Sequence, residues 1–394
     1  MSGQVDLDRY ARTDLEVRRG TKWRRYGATA IAAWVADMDY PIADEVRGAV
    51  ADLLGADDLG YPDPALDRAV RDAFAARARA RYGMAVEADE VVLVSDVVQA
   101  IYLGLLAFTE PGDGVVFLAP AYPPFASAVA ETGRRAVRCP LVRGDDRYEV
   151  DLDSLGSLVR AGGCAMLLLC NPHNPTGRSF TRDELEAIAA VALDAGLVVV
   201  SDEIHADLTL AGATHVAFAS LGPEVAARTV TLSSASKAFN VAGLRCAVAA
   251  FGSEALRERF ERFPAHARGS VSVVGMVAAL AAWEQAGTWL EAVRAHLAAN
   301  RELVSAFAER YVPATYRPPE ATYLAWLDLG AYGLGDDPTA WLRANARVAL
   351  SPGPDFGVEG RGFARLNFAT PRPVLEEMLD RLGAALGGRG PSTR

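Results

Sequence analysis

The sequence predicts an α/β protein whose larger domain has three layers, with helices on both faces of a mostly parallel sheet. Six short apolar runs recur between residues 90 and 252: EVVLVSD, GVVFLAP, AMLLLCNP, GLVVVSDE, TVTLSSAS and CAVAAFG. Continuous apolar runs of this length are typical of strands buried on both faces of a parallel sheet. Helical patterns lie between the runs, and strands that alternate with helices predict a layered α/β domain.

The clearest helical pattern is TRDELEAIAAVALDAG, at residues 181–196. It begins with Thr181 and Glu184, which have the spacing of a capping box, and it closes on Gly196. We therefore predict a helix here, between the third and fourth of the six apolar runs.

The pattern changes at about residue 286, where a long amphipathic helix is predicted. It is followed by TYLAWLDLG, RVALSPGPDFG and FARLNFATP, with helix between and after them. We predict a large domain at residues 46–285 and a smaller α+β domain formed by residues 1–45 and 286–394. The tail GGRGPSTR has a composition that favours disorder.

Composition excludes several classes of function. The chain has 394 residues, 51% of them hydrophobic, and a formal charge of -10 without any long run of Lys or Arg, which argues against nucleic acid as a partner. No apolar stretch is long enough for a membrane helix and the N-terminus lacks the apolar core of a signal peptide, so we expect a cytoplasmic protein without a membrane partner. The four cysteines have no CxxC pair and no nearby histidine at the spacing of a metal site, so no metal site is predicted.

Informative residues follow the predicted strands, at the sheet edge where open α/β sheets bind ligands. In SDVVQAI the chain passes from strand to helix at residues 96–99, and the free NH groups of a helix start suit an anion such as phosphate. Tyr122 follows the next strand, where it can pack in the core or cover a planar ring. In CNPHNPTG, two prolines and a glycine fix the loop while Asn171 and Asn174 offer amide hydrogen bonds.

Two further strand ends carry groups that can do chemistry. Asp202 and Glu203 follow a buried strand, where a carboxylate needs a cationic partner such as a protonated pyridine nitrogen to stay ionised. The segment SSASKAFNVAGLR, residues 233–245, supplies an amine nucleophile, two hydroxyl donors and a guanidinium that can bind phosphate through two hydrogen bonds. These parts together are what a pyridoxal phosphate enzyme needs.

The motifs resemble those of the fold-type I pyridoxal phosphate enzymes of the class I/II aminotransferase superfamily, over roughly residues 30–385. The resemblance implies that Lys237 forms the Schiff base and transfers protons, that Asp202 keeps the pyridine nitrogen protonated, and that Asn174 bonds the ring's 3-hydroxyl oxygen. It also implies that Tyr122 stacks on the pyridine and that Arg365, in FARLNFA, binds the substrate's α-carboxylate. The groups implied to hold the phosphate are the backbone of Val97 and Val98 together with Ser234, Ser236 and Arg245.

Three other motifs resemble the cystathionine β-lyase branch, the bacterial carbon-sulfur lyases of the MalY/PatB type: WVADMDYP at 34–41, GYPDP at 60–64 and SDEIHADL at 201–208. By this resemblance Val35 contacts substrate, and His205 meets the cofactor's phenolic oxygen where transaminases usually carry a tyrosine. Tyr61 would reach the active site of the neighbouring subunit, which implies a homodimer, and would act in catalysis with Lys237 and Tyr122.

The branch implies β-elimination from an L-cysteine thioether, such as cystathionine or an S-substituted cysteine, to a thiol, pyruvate and ammonia. Two other activities stay open. One is an aminotransferase, which shares the early steps of the reaction, and the other is a relative in specialised metabolism that acts on a larger cysteine conjugate. The phosphate loop SDVVQAI lacks the Thr-Pro opening common in the branch, and Pro123 follows Tyr122 where some lyases have a second tyrosine.

Overall fold

The computed structural model describes residues 5–312 and 316–390. Residues 1–4 of the predicted small domain and the last four residues of the tail GGRGPSTR lie outside these ranges. The strands are β1 Ile31–Ala32, β2 Val91–Val94, β3 Gly114–Ala119, β4 Arg135–Arg143, β5 Tyr148–Val150, β6 Cys164–Cys170, β7 Val198–Asp202, β8 Thr229–Ser233, β9 Ala247–Phe251, β10 Leu324–Asp328, β11 Val348–Ala349, β12 Ser351–Pro352 and β13 Phe363–Asn367.

Helices lie before, between and after these strands. They are α1 Arg12–Glu16, α2 Thr21–Arg24, α3 Asp44–Gly55, α4 Pro64–Tyr82, α5 Val97–Phe108, α6 Pro123–Glu131, α7 Leu152–Ala161, α8 Arg182–Asp194, α9 Pro223–Ala226, α10 Ala235–Ala238, α11 Glu254–Glu261, α12 Ala265–Arg268, α13 Val273–Gln285, α14 Gly287–Tyr311, α15 Thr339–Asn345 and α16 Arg372–Arg389. Within the described ranges, no helix combines the length and apolarity that crossing a membrane requires.

The large sheet has the strand order β2-β9-β8-β7-β6-β3-β4-β5. The neighbours from β8 to β4 pair in parallel, whereas β9 is antiparallel to both β2 and β8, and β5 is antiparallel to β4. All six apolar runs form strands of this sheet. β4 and β5 were not predicted, because the charged sequence RAVRCPLVR of β4 lies near the sheet edge and much of it is exposed.

Helices cover both faces of the large sheet, so the predicted three-layer α/β fold is confirmed. Along β3, Val115 and Phe117 face one core with α5, α6 and α11, whereas Val116 and Leu118 face the other core with α7 and α8. The capping box of α8 forms as predicted: the Thr181 hydroxyl accepts from the Glu184 backbone NH, and the Glu184 carboxylate accepts from the Thr181 NH.

A second, antiparallel sheet has the order β10-β13-β12. Its apolar residues share a core with α14 and α16, as Leu297, Leu324 and Leu375 illustrate. The short strand β1 pairs in parallel with β11, which joins the N-terminal segment to the C-terminal part of the chain. The exact division of the chain into domains at residues 45 and 285 stays a prediction.

Candidate active site

A cavity of about 390 Å³ lies where the carboxyl ends of β6, β7 and β8 approach β13. Parallel strands present their carboxyl ends at one edge, which explains why residues distant in sequence meet there. Every predicted site residue except Tyr61 lines this cavity: Val35, Val97, Val98, Tyr122, Asn174, Asp202, His205, Ser234, Ser236, Lys237, Arg245 and Arg365.

Lys237 lies on α10, the short helix that follows β8. Its Nζ donates a hydrogen bond to the Ala36 carbonyl oxygen at 2.7 Å and lies 3.8 Å from an Asp37 carboxylate oxygen. Burial lowers the pKa of the Lys237 amine, and the neighbouring Asp37 carboxylate partly opposes that effect. A lowered pKa increases the neutral fraction of the amine, which is the form that acts as nucleophile or base.

The two adjacent carboxyl groups after β7 have different surroundings. Glu203 accepts hydrogen bonds at 2.9 Å from the Ser201 hydroxyl and from the Phe218 backbone NH, and it contacts His215 Nε2 at the same distance. Asp202 faces the cavity, and burial raises the pKa of its carboxyl to about 7. Glu203 is therefore satisfied within the protein, whereas Asp202 is the carboxyl that a cationic ligand would stabilise.

The two asparagines of CNPHNPTG also divide into a structural and a cavity residue. Asn171 accepts from the Phe180 NH at 3.1 Å and donates to the Val216 carbonyl at 3.2 Å, so both ends of its amide are used in the fold. Asn174 lines the cavity, and its Oδ1 accepts from Arg365 Nη1 at 2.9 Å. That contact uses only the amide oxygen of Asn174, so its NH₂ group can donate to a ligand in the cavity.

Arg365, on β13, is a buried guanidinium. It donates to Asn174, to the Trp34 carbonyl at 2.9 Å and to the Ser351 hydroxyl at 3.1 Å, and it packs 4.8 Å from the Phe356 ring centroid. No carboxylate in the described ranges forms an ion pair with it, and its Nε has no hydrogen-bond partner there. Burial lowers its pKa to about 10, so it remains charged at neutral pH. A buried cation without a counter-ion is costly, and an anionic ligand would relieve that cost.

The start of α5 forms the end of the cavity predicted to bind phosphate. Asp96 caps this helix, with one oxygen accepting from the Gln99 NH at 2.8 Å and the other accepting from Arg245 Nη1 at 2.5 Å. The Ser234 hydroxyl donates to the Cys246 carbonyl at 2.6 Å and lies 2.8 Å from the Ser236 hydroxyl. Backbone NH groups, two hydroxyls and a guanidinium thus lie together, as an anion site requires.

Two ring side chains complete the cavity wall. Burial, with the Asp202 carboxylate, raises the pKa of the Tyr122 phenol to about 12, so the phenol is neutral. Burial lowers the pKa of His205 to about 3, so its imidazole is neutral as well. The Nδ1 of His205 lacks a hydrogen-bond partner in the part of the chain that the structure describes. It is therefore free to bond a ligand.

Tyr61 does not join these residues. It lies in the turn before α4, it is fully exposed, and it does not line the cavity of its own chain. Its predicted contact with a neighbouring subunit stays a prediction.

Sequence reasoning missed several residues that line the cavity, including Trp34, Cys170, Ser351, Asp355 and Phe356. Most of them belong to loops that reach the site only through tertiary packing. A signal for three of them was present, since SPGPDFG places a serine, an acid and an aromatic directly after a predicted strand.

Comparison with known proteins shows the class to which this fold and site belong. The family model for aminotransferase class I and II matches residues 35–382, and the chain belongs to that family. It is 35% identical over 382 residues to cystathionine β-lyase PatB of Bacillus subtilis, covering 94% of this chain and 98% of that protein. It is 34% identical over 376 residues to the cystathionine β-lyase of Corynebacterium glutamicum, covering 95% and 98%. Within the family, the chain therefore belongs to the cystathionine β-lyase branch.

A solved structure extends this comparison to the whole fold. Cystalysin from Treponema denticola, whose crystal structure contains pyridoxal 5'-phosphate, superposes with a TM-score of 0.90 at 29% identity. The superposition covers 98% of this chain and 99% of cystalysin.

Proposed function

We propose that this protein is a pyridoxal phosphate-dependent carbon-sulfur β-lyase that converts L-cysteine thioethers to a thiol, pyruvate and ammonia. The observation that carries the proposal is one cavity that holds an amine of lowered pKa, Lys237, and a buried guanidinium, Arg365, that no described carboxylate pairs with. The first suits proton transfer and the second suits the α-carboxylate of an amino acid. The names of the relatives, cystathionine β-lyases, support the same reaction.

The residues of the cavity fit pyridoxal phosphate. The start of α5 with Arg245 suits the phosphate, and a protonated ring nitrogen would stabilise the ionised form of Asp202. The Nδ1 of His205, which has no hydrogen-bond partner among the described residues, suits the 3-hydroxyl oxygen. Asn174 and Tyr122 would contact the ring. When bound, the cofactor supplies an electron-withdrawing ring that stabilises negative charge at the substrate's Cα.

The chain's own residues would position the substrate and transfer its proton. Arg365 binds the α-carboxylate, and its contacts with Trp34, Asn174 and Ser351 keep the guanidinium from turning away. Lys237, as the neutral amine, accepts the proton from Cα. The electron pair of that C–H bond becomes the second bond between Cα and Cβ, and the Cβ–S pair leaves with sulfur as the thiolate. The remaining enamine takes up water to give pyruvate and ammonia.

We also infer a homodimer in which Tyr61 reaches the active site of the neighbouring subunit. The exposed apolar side chains Leu54, Leu59 and Tyr61 lie close together in sequence, from the last turn of α3 to the segment before α4, and such a group favours contact with another protein surface. We further propose that the enzyme is cytoplasmic, because its four cysteines are all free.

The decisive experiment is product analysis with the purified protein loaded with pyridoxal phosphate. L-cystathionine and several S-substituted L-cysteines are incubated with the protein, and the products are identified by mass spectrometry. We expect a free thiol, pyruvate and ammonia, and none of these from Lys237→Ala, whose folding is checked by circular dichroism. A keto acid that retains the sulfur would show an aminotransferase and would reject the proposal.

A further inference from the structure

One of the charged side chains that line the cavity, a carboxylate, has no assigned role. Six such groups line it: Asp96, Asp202, Lys237, Arg245, Asp355 and Arg365. Asp96 and Arg245 form an ion pair, and Lys237 lies beside Asp37. The proposed function uses Asp202 for a ring nitrogen and Arg365 for the α-carboxylate. Neither the fold nor that chemistry uses Asp355.

The backbone that carries Asp355 is held firmly at the cavity wall. Asp355 lies in the 3₁₀ turn Gly353–Phe356, between β12 and β13. The carbonyl of the next residue, Phe356, accepts from the Ala121 NH at 2.9 Å and from Arg138 Nη2 at 3.1 Å, which ties the turn to the large sheet. The turn therefore presents Asp355 at a fixed place in the wall of the cavity that Arg365 also lines.

The Asp355 side chain is exposed at the cavity wall and has no partner among the described residues. It forms no hydrogen bond or ion pair with any residue in the ranges 5–312 and 316–390. Partial burial raises the pKa of its carboxyl, as does the Asp337 carboxylate, whereas the positive charges of Arg25 and Arg365 lower it. A cation brought into the cavity would gain from this carboxylate, and a second anion would be repelled by it.

We propose that Asp355 selects the leaving group, favouring L-cysteine thioethers whose thiol portion carries a cationic amine and disfavouring those whose thiol portion is anionic. The inference rests on the proposed β-lyase function. Because the α-carboxylate is assigned to Arg365 and Cα must lie near Lys237, the substituent on Cβ is the part of the substrate left to meet Asp355. The same carboxylate would act against amino acids with a second carboxylate in their side chain.

Three substrates of similar length test the proposal: S-(2-aminoethyl)-L-cysteine is cationic at its far end, S-propyl-L-cysteine is neutral, and S-carboxymethyl-L-cysteine is anionic. Thiol release by the holoenzyme gives kcat/KM for each. We expect the cationic substrate to exceed the neutral one by about 5-fold, the size of a partly exposed ion pair, and the anionic one to fall below it. In Asp355→Asn the cationic and neutral substrates should differ by less than about 2-fold.

A matched variant controls for net charge. Asp336 belongs to the same part of the chain, is exposed and pairs with Arg361 outside the cavity, so Asp336→Asn should keep the preference of the unmutated protein. A preference that survives in Asp355→Asn, or that is lost equally in Asp336→Asn, would overturn the inference.

A binding measurement separates this inference from the proposed function. The dissociation constants of the three compounds are read from the absorbance change of the bound cofactor, in the unmutated protein and in Asp355→Asn. If no thiol is released from any compound, the β-lyase proposal fails, and the binding constants still decide the role of Asp355. Equal affinity of the unmutated protein for the cationic and anionic compounds would reject that role.

Discussion

Asp202 and Glu203 are neighbours in sequence, but their carboxyl groups have different surroundings in the folded protein. Glu203 has three partners within the protein, whereas Asp202 faces the cavity with a raised pKa. Asn171 and Asn174 divide in the same manner, since only Asn174 reaches the cavity. Polar residues whose bonding capacity is left over after folding are the ones available to a ligand.

The buried Asp202 gives a pH dependence to the cofactor-free protein. Its pKa rises from 3.8 to about 7 on folding, so its contribution to stability is fully present below pH 3.8 and is lost as the pH rises through 7. Relative to Asp202→Asn, the unmutated protein should lose about 2.5 kcal/mol of unfolding free energy between pH 5 and pH 8. Urea unfolding of both proteins across this range measures the difference. A constant difference would contradict a raised pKa.

Substrate binding at Arg365 should be weakened even by a substitution that keeps the positive charge. Lys in its place cannot make the two parallel hydrogen bonds of a guanidinium to a carboxylate. We expect Arg365→Lys to lower kcat/KM by about 10- to 100-fold, mainly through a higher KM. Arg361→Lys is the control, because Arg361 is exposed and lies outside the cavity. An unchanged KM in Arg365→Lys would show that the α-carboxylate binds elsewhere.

At the scale of elements, the sequence predicted six strands of the large sheet and missed β4 and β5, which lie at one of its two edges. A strand covered on both faces is apolar throughout, as VVFLA of β3 is, and this pattern is visible without tertiary information. β4 carries arginines on its exposed positions and β5 is three residues long, so neither shows an apolar run.

The active-site residues also fall into two groups, those that the sequence predicts and those that it misses. Lys237, Asp202 and Asn174 follow predicted strands, and their motifs resemble a known family. Asp355 and Phe356 reach the cavity because their turn packs against the large sheet through Ala121 and Arg138. That packing joins segments more than two hundred residues apart, and no local pattern encodes it.

The turn that carries Asp355 and Phe356 continues into Gly357, whose backbone conformation residues with a side chain rarely adopt. Gly357 has φ +120°, and a Cβ there would overlap the Arg138 guanidinium. Gly357→Ala should therefore lower the unfolding free energy by about 1–3 kcal/mol and raise KM, because Phe356 packs on Arg365. Thermal unfolding and steady-state kinetics measure both effects.

Gly388→Ala is the matched control for that substitution. Gly388 lies in α16 with open space around the position of a Cβ, so alanine there should preserve or increase stability and leave KM unchanged. A Gly357→Ala protein that is destabilised but keeps its KM would separate the turn from substrate binding.

At the scale of the whole molecule, shared active sites can be tested by complementation. Lys237→Ala and Tyr61→Ala should each be nearly inactive as pure dimers. When the two are unfolded, mixed and refolded together, half of the dimers should be hybrids, each with one intact site. Activity should then recover to about one quarter of the unmutated protein. No recovery, with dimers confirmed by sedimentation, would place Tyr61 outside the neighbouring site.

The groups that form the active site are synthesised at different times, because they lie far apart in the chain. The Lys237 amine donates a hydrogen bond to Ala36, and Arg365 donates to Trp34, Asn174 and Ser351. Residues from both the N-terminal and the C-terminal part of the chain therefore form one small cavity. On the ribosome, the strands of the large sheet emerge well before Arg365. A nascent chain can thus hold most groups of the phosphate site while it still lacks the group that captures an amino acid.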